Sequence, residues 1–212
     1  MSGRLLVIGD VHGEYKMLCE VLKKASYNPE QDQLILLGDY IDRGPDSKKV
    51  VQKTKQLVKN GAIALKGNHE EMAFQYISKM KEKKRCVYFR NGGRKTINSY
   101  NDLNKFEEDI RWLNKLPCIK KIENKYIFVH AGIKPGIGPR KQSKRNLLWI
   151  RDDFFSYDWS KREFPETIVV GHTPFPEVRK LPGIITVDTG AGKGGVLSLL
   201  DLTNDNIYQA TF

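Results

Sequence analysis

The four histidines of this chain are the residues whose positions say most about its chemistry. Each follows a short apolar run and stands in a small motif that contains glycine: His12 in GDVHG, His69 in GNHE, His130 in HAG and His172 in GHT. A single histidine after a strand is usually a structural residue, but four in the same position are hard to attribute to chance. Because imidazole binds metal ions and transfers protons near neutral pH, the pattern predicts a shared site.

Carboxylates stand at the same kind of position. The apolar run Leu34–Leu37 is predicted to be a strand buried on both faces, and Asp39, Asp42 and Arg43 come soon after it. Charged groups at the end of a buried strand are costly unless another charge compensates them. A metal ion would compensate the carboxylates and leave the arginine free to bind an anion. A solvated, aspartate-rich turn is the alternative that this stretch alone leaves open.

A repeated order of strand, loop and helix positions these residues. It predicts strands at Leu5–Ile8, Leu34–Leu37 and Ala62–Leu65, and helices from Glu14 to about Ala25 and from Asp46 or Ser47 to Asn60. The apolar residues of each helix fall on one face. Open α/β sheets bind their ligands at the carboxyl ends of the strands, so we expect the loops after these strands to form one site.

The hydrophobic pattern changes after the third strand. The segment at about residues 70–117 is predicted to be mostly helical, and within it Lys79–Arg85 is expected to be a solvated helix face and its end. Further strands are predicted at Ile119–Ile122, Tyr126–His130, Ile168–Val170, Ile184–Val187, Val196–Leu200 and Ile207–Ala210. The fold class is therefore predicted to be α/β, with two packed mixed β-sheets flanked by helices in a single domain over residues 1–212.

Composition narrows the partners and the compartment. The chain has 36 Lys and Arg against 25 Asp and Glu, a net charge of +11, which favours anionic substrates such as phosphoesters or nucleotides. Its three cysteines, Cys19, Cys86 and Cys118, form no close pair and are expected to be reduced, mostly buried thiols. Because the sequence has no long apolar segment, we expect a cytoplasmic protein without a membrane partner.

Five short motifs occur in order along the chain: Gly9-Asp10-Val11-His12-Gly13, Gly38-Asp39-Tyr40-Ile41-Asp42-Arg43-Gly44, Gly67-Asn68-His69-Glu70, His130-Ala131-Gly132 and Gly171-His172-Thr173. This set resembles the PPP branch of the metallophosphoesterases, which holds serine/threonine protein phosphatases, bacterial and phage phosphatases, and diadenosine tetraphosphate hydrolases. The similarity spans about residues 5–200. Features of the bacterial type support it, namely Asn91–Arg94, Trp149-Ile150-Arg151 and Asp188–Ala191. The resemblance implies the calcineurin-like sandwich fold.

The resemblance also implies two metal ions that share one carboxylate. The first would be bound by Asp10, His12 and Asp39, and the second by Asp39, Asn68, His130 and His172. Mixed imidazole and carboxylate ligands suit Mn, Fe or Zn better than Mg or Ca, and we expect Mn. Two such ions about 3.5–4 Å apart can share one water, which would attack phosphorus as a bridging hydroxide without a covalent phosphoenzyme.

Further residues are expected to assist the reaction. His69 follows Asn68 but is assigned to neither metal, so we predict that it is the general acid, with Asp42 orienting it and raising its pKa. A helix N-cap role is the alternative for His69. Arg43 and Arg151 offer planar forks that match phosphate oxygens. Asn91 and Arg94 are weaker candidates for substrate contact, since the Gly pair between them is typical of a plain turn.

The predicted reaction removes phosphate from phosphoserine and phosphothreonine proteins. Glu70 after His69 favours the phage-type protein phosphatases, and Pro174 replaces the second histidine of the GHxH motif that nucleases of the superfamily carry. Nucleic acid is therefore not an expected partner. The alternative substrate is a dinucleoside polyphosphate, for which the basic net charge would also be suitable. The basic stretch Arg140–Arg145 is either a solvated surface or a contact for an anionic substrate. A scaffold that has lost its chemistry is the third possibility, and the complete ligand set argues against it.

Overall fold

The structure, a computed structural model, describes residues 3–78 and 82–211, with side chains in the second range from residue 86 onward. Part of the predicted helix face at Lys79–Arg85 therefore lies outside the described residues. The described strands are β1 (Leu5–Ile8), β2 (Gln33–Leu36), β3 (Ile63–Ala64), β4 (Ile119–Ile122), β5 (Tyr126–Val129), β6 (Thr167–Val170), β7 (Arg179–Leu181), β8 (Ile184–Thr186), β9 (Leu197–Asp201) and β10 (Asn206–Ala210). The described helices are α1 (Tyr15–Lys24), α2 (Ser47–Lys59), α3 (Asn68–Ile77), α4 (Glu82–Arg90), α5 (Gly93–Asn98), α6 (Leu103–Asn114), α7 (Lys144–Trp149) and α8 (Asp152–Phe155).

The strands form two mixed sheets of five strands each. The first has the order β10-β9-β1-β2-β3, with β1, β2 and β3 parallel and β9 antiparallel to both of its neighbours. The second has the order β4-β5-β6-β8-β7, with β5, β6 and β8 parallel and the two edge strands antiparallel. The predicted fold class is confirmed.

Alternate side chains of the central strands pack into different layers, as the two-residue period of a strand requires. Val7, Ile35 and Leu37 of the first sheet pack against Phe128 and Val169 of the second, and all five are fully buried between the sheets. Uninterrupted apolar runs such as Leu34–Leu37 therefore come from strands that are buried on both faces, as predicted.

Helices cover the two outer faces of the sheets. Leu6 and Ile8 point away from the second sheet and join the buried residues of α1, α2, α3 and α6. On the opposite side of the molecule, Val129 and Val170 pack with Leu147 of α7 and neighbours in α8. The result is four layers, helix, sheet, sheet and helix.

The elements that the sequence reading missed are short or exposed. Strand β7 reads Arg-Lys-Leu, is exposed along its whole length and pairs at a sheet edge, so it carries no hydrophobic period. Helices α7 and α8 span six and four residues, too few for a helical period to be visible. Helix α5 begins at Gly93, inside the predicted turn Asn91–Arg94.

Two further expectations are tested by the described residues. Within them, no helix is both long enough and apolar enough to span a membrane. The cysteines are free thiols, but the expectation that they are mostly buried is wrong: Cys86 is exposed, and Cys19 and Cys118 are partly exposed. Cys19 lies on α1 and Cys86 on α4, and Cys118 packs partly against the apolar cluster that contains Val129 and Leu147.

Candidate active site

The loops that carry the predicted site residues turn unusually sharply. Five non-glycine residues have positive φ angles there: His12 at 47°, Asp39 at 52°, Asp42 at 72°, Arg43 at 67° and His172 at 64°. L-residues rarely adopt this region, and they keep it only where the surrounding structure holds them there. These turns follow the carboxyl ends of β1, β2 and β6, where residues far apart in sequence come to share one site.

Backbone hydrogen bonds join the first two loops. The carbonyl of Asp39 accepts the N–H groups of Val11 and His12 at 3.1 and 2.8 Å, and the carbonyl of Tyr40 accepts the N–H of Gly13 at 2.8 Å. Strands β1 and β2 are parallel neighbours, so their carboxyl ends lie side by side. The loop with Asp10 and the loop with Asp39 therefore behave as one rigid unit.

The carboxylate of Asp39 lies at the centre of the cluster. Its Oδ2 is 3.5 Å from Nε2 of His12, and its Oδ1 is 3.5 Å from Nε2 of His130. The side-chain oxygen of Asn68 lies 2.9 Å from Nε2 of His130 and 3.0 Å from Nδ1 of His172. Each oxygen of Asp39 thus faces a different imidazole, which is the arrangement a bridging carboxylate needs.

Asp10 lies beside this group and ties it to the second sheet. Its two carboxylate oxygens accept the backbone N–H of His172 at 3.0 and 3.1 Å. Oδ2 is 3.9 Å from Nε2 of His12, and Oδ1 is 3.9 Å from Nδ1 of His130. The six residues predicted as metal ligands are brought together, and all six are buried.

The hydrogen bonds of the imidazoles show which nitrogens face the cluster. Nδ1 of His12 lies 2.9 Å from the carbonyl of Ile41, and Nδ1 of His130 lies 3.0 Å from the carbonyl of Leu37. A carbonyl can only accept, so Nδ1 of both histidines carries the proton and Nε2 presents its lone pair to the site. Nε2 of His172 is buried and has no hydrogen-bond partner among the described residues.

The donor set fits a pair of metal ions. Ligand atoms of His12, Asp39 and His69 lie within 4.8 Å of one another, and so do those of Asp39, His130 and His172. Asp39 belongs to both groups. The first group contains His69, whereas the resemblance assigns Asp10 to that position; Asp10 lies next to the group at the distances given above. Imidazole nitrogen with carboxylate oxygen is a donor set for Mn, Fe or Zn.

The charges of the cluster also favour cations. Burial raises the pKa of Asp10, with further increases from Asp188 and Asp39, and burial together with the charge of Glu70 raises the pKa of Asp39. Burial lowers the pKa of His12, lowers that of His130 to about 3 and lowers that of His172. The imidazoles are therefore neutral, as ligands must be. Arg43 compensates the buried carboxylates only in part, because their pKa values stay raised, and divalent ions would supply the remaining positive charge.

His69 and Asp42 form a buried pair at the edge of the cluster. Nδ1 of His69 lies 2.6 Å from Oδ2 of Asp42, and the hydroxyl of Thr96 donates to Oδ1 of Asp42 at 2.5 Å. Burial raises the pKa of Asp42 to about 7, although the Thr96 hydrogen bond opposes the rise. The expectation that the pKa of His69 is raised is wrong, because burial, followed by the charges of Arg43 and Arg151, lowers it.

Two arginines contact different residues of the cluster. Nη1 of Arg43 lies 2.7 Å from Nε2 of His12, and its Nη2 lies 2.9 Å from Nε2 of His69. Arg151, which follows α7, donates from Nη2 to the carbonyl of His172 at 3.3 Å. Both predicted phosphate-binding guanidinium groups are therefore placed at the cluster.

Asn91 and Arg94 are not brought into the cluster by any contact among the described residues. Nδ2 of Asn91 donates to the carbonyl of Val87 at 2.8 Å, and the guanidinium of Arg94 lies 5.1 Å from the ring centroid of Phe89. The residue between them that does approach the site is Gly92, where a Cβ would lie 2.7 Å from the backbone nitrogen of Arg43. Their predicted role in substrate contact remains a prediction.

Sequence reasoning gave no role to Glu70, although it holds the second loop in place. This fully buried carboxylate accepts the N–H of Asp39 at 2.8 Å and of Gly67 at 2.9 Å on Oε2, and that of Tyr40 at 2.9 Å on Oε1. Glu70 stands three residues after Gly67, which is the spacing of a helix capping box, and this pattern in the sequence identifies Glu70 as a capping residue. Thr96, the partner of Asp42, is marked by no local pattern.

Comparison with known proteins places the chain in a family. The profile described as calcineurin-like phosphoesterase matches residues 3–194, most of the chain. The chain belongs to this family of metal-dependent phosphoesterases.

Relatives of similar length carry two different names. The chain is 29% identical over 221 residues to the asymmetrical bis(5'-nucleosyl)-tetraphosphatase PrpE of Bacillus cereus (strain Q1), covering 91% of this chain and 87% of the relative. It is 30% identical over 206 residues to serine/threonine-protein phosphatase 2 of Escherichia coli (strain K12), covering 91% and 89%.

Solved structures share the fold. A putative diadenosine tetraphosphatase superposes with a TM-score of 0.77 at 24% identity, covering 100% of this chain and 94% of that one. A protein serine/threonine phosphatase from Saccharomyces cerevisiae superposes with a TM-score of 0.66 at 17% identity, covering 100% and 80%. At these identities the likeness concerns the fold alone.

Proposed function

We propose that this chain hydrolyses phosphate esters with two divalent metal ions and without a covalent phosphoenzyme. The observation that supports this most directly is the position of Asp39, whose two carboxylate oxygens lie 3.5 Å from Nε2 of His12 and of His130. Both imidazoles direct lone pairs at that carboxylate, and the site is buried at the end of parallel strands. In a purely structural Asp–His ion pair the imidazole would be protonated. Two neutral imidazoles that face one carboxylate are instead what a metal site requires.

The proposed ligands are those that the family resemblance implies. The first metal would be held by Asp10, His12 and Asp39, and the second by Asp39, Asn68, His130 and His172. When bound, the ions would supply an activated water and charge stabilisation for the phosphoryl oxygens, and Mn is the metal we propose.

His69 is proposed as the general acid that protonates the departing alkoxide. Asp42 accepts from Nδ1 of His69 at 2.6 Å, which leaves Nε2 facing the cluster. In that tautomer Nε2 bears the lone pair and accepts from Arg43. To act as the general acid, Nε2 would first have to take up a proton, and Asp42 would stabilise the resulting imidazolium against the burial that lowers the pKa of His69. Thr96 holds the second oxygen of Asp42, so the carboxylate cannot rotate away.

Arg43 and Arg151 are proposed to bind the phosphoryl group. The Arg43 guanidinium lies between His12 and His69, and Arg151 approaches from the side of His172. Two planar guanidinium groups that contact different residues of the cluster can hold non-bridging oxygens and stabilise the charge that develops on them.

The first proposed substrates are phosphoserine and phosphothreonine residues of proteins. The 30% identity of this chain to serine/threonine-protein phosphatase 2 of Escherichia coli supports this substrate class. The test is release of phosphate from a phosphoserine peptide with and without added Mn²⁺, with a chelator-treated sample as the control. Absence of metal-dependent release from the peptide and from an aryl phosphate alike would rule out the proposed hydrolysis.

A dinucleoside polyphosphate is the second candidate substrate. The observation that favours it is an exposed tryptophan, Trp149, in basic surroundings beside His172. The relatives named bis(5'-nucleosyl)-tetraphosphatase agree with it. The two candidates are separated by the ratio of kcat/KM for the phosphoserine peptide to kcat/KM for diadenosine tetraphosphate.

A further inference from the structure

Trp149 is a large aromatic side chain that remains exposed beside the cluster. It ends α7, its exposed fraction is 39%, and its ring centroid lies 6.5 Å from that of His172. Burying an indole is strongly favourable, so an exposed one next to a buried polar site is a candidate contact for a ligand.

Two surface grooves meet at this residue. One has a volume of about 400 Å³ and lies toward α3; the other, of about 470 Å³, lies toward α8. Trp149 and Arg145 line both grooves, and Arg151 lines the second. A ligand bound to Arg151 and the cluster would extend from the cluster into these grooves, and the indole would form one wall of its path.

The grooves are basic around the indole. Lys144 and Arg145 line the first, and the carboxylate of Glu71 there is already paired with Lys66 at 2.5 Å and with Lys144 at 2.6 Å. The second contains three cationic side chains, Lys134, Arg145 and Arg151, and two acidic ones, Asp152 and Asp153. Within the described part of the chain, Arg145 has no ion-pair partner. The surroundings suit an anionic ligand.

Helix α7 holds the indole in a fixed position. Leu147 and Leu148 are buried, and the carbonyl of Leu147 accepts the N–H of Ala131, which follows His130, at 2.9 Å. The ion pair of Lys144 with Glu71 attaches the start of the helix to α3. A rigid aromatic surface loses little entropy when a flat ligand stacks on it.

We infer that Trp149 binds a nucleobase by stacking and thereby sets the selectivity of the site for nucleoside polyphosphates. A nucleobase has an aromatic face for the indole, and its attached phosphates are anionic groups for Arg145, Arg151 and the cluster. Besides the indole, the aliphatic residues of the two grooves are Leu148 and Ile150. The inference rests on the proposed hydrolysis, because it orients the ligand by the position of the phosphate.

The first test compares AMP with ribose 5-phosphate, two ligands that differ by the adenine. With Mn²⁺ present, AMP should bind about 5- to 150-fold more tightly than ribose 5-phosphate and should quench tryptophan fluorescence. Trp149→Leu should remove both the preference and the quenching, whereas Trp149→Phe should retain most of the preference. Trp112→Phe is the matched control, since Trp112 lies on α6 beside Lys55 and lines neither groove.

The outcomes separate this inference from the proposed function. Equal binding of the two ligands by the wild type, or an adenine preference that survives in Trp149→Leu, would overturn the inference even if hydrolysis occurs. Adenine-dependent binding and quenching in a protein without hydrolytic activity would instead refute the proposed function alone.

A second test uses turnover. Trp149→Leu should lower kcat/KM for diadenosine tetraphosphate at least 5-fold more than kcat/KM for a phosphoserine peptide. Equal losses would mean that the indole contacts peptide as well as nucleotide, and the inferred selectivity for nucleoside polyphosphates would be wrong.

Discussion

Replacement of Glu70 by alanine tests whether the loop with Asp39 is held by this one buried carboxylate. Glu70 is fully buried and accepts three backbone N–H groups, from Asp39, Tyr40 and Gly67, at 2.8 to 2.9 Å. Alanine has no acceptor, so the three donors would lose their partner at the point where the backbone of Asp39 adopts a φ of 52°.

The magnitude follows from two opposing effects. Each buried N–H left without an acceptor costs about 1–3 kcal/mol, or about 3–9 kcal/mol for three. Removal of Glu70 also removes a buried charge: burial raises its pKa from 4.5 to about 7, which corresponds to about 3 kcal/mol when the group is ionised. With the middle of that range, about 6 kcal/mol, the net loss of stability above neutral pH is expected to be about 3 kcal/mol.

The assay is urea unfolding of the chelator-treated protein at mildly alkaline pH, followed by Mn²⁺ titration in a calorimeter. Glu107→Ala is the control, since Glu107 is exposed on α6 and should change stability by less than about 0.5 kcal/mol. The Glu70 variant should also bind Mn²⁺ more weakly, because Asp39 loses its support. Stability and Mn²⁺ affinity both equal to those of the wild type would refute this account of the loop.

Three other predictions concern single side chains. Asp39→Asn should abolish turnover and lower the content of both metals in metal analysis; retained activity would contradict the bridging role. His69→Asn should slow alkyl phosphates far more than aryl phosphates, which depart without a proton, and equal losses in steady-state kinetics would count against a general acid. Burial raises the pKa of Glu71, but hydrogen bonds from Lys144 and Lys66 outweigh it and lower the pKa to about 2. Glu71 should therefore stabilise the fold above about pH 4.5 and lose that contribution as the pH falls toward 2. Between these pH values the free energy of unfolding of Glu71→Gln should fall by about 2–3 kcal/mol less than that of the wild type. Parallel pH profiles of the two proteins would exclude the ion pair as a source of stability.

The predicted ligands could be found from the sequence because a metal site demands particular residue types. Imidazole, carboxylate and amide groups follow apolar strand segments at Asp10, His12, Asp39, Asn68 and His130. Parallel strands bring their carboxyl ends to one edge, so strand order and residue type together predict proximity. The structure brings these side chains together, while their assignment to two metals remains a prediction.

Other features of the site have no local signal. Thr96 reaches Asp42 from α5 across 54 positions of sequence, and nothing in its own segment marks it. The sequence suggests one neighbour, Asp42, that would raise the pKa of His69, whereas burial, Arg43 and Arg151 lower it. Contacts between distant segments decide such properties.

Residue type and hydrophobic period by themselves determined which groups could bind metal, how the strands are buried and which family the motifs resemble, because these depend on chemistry within a few positions. The tertiary structure alone decided how the groups are oriented and charged. Helix α7 sets the exposure of Trp149, and the buried Glu70 sets the turn at Asp39, since burial and hydrogen-bond geometry arise only when separate layers pack.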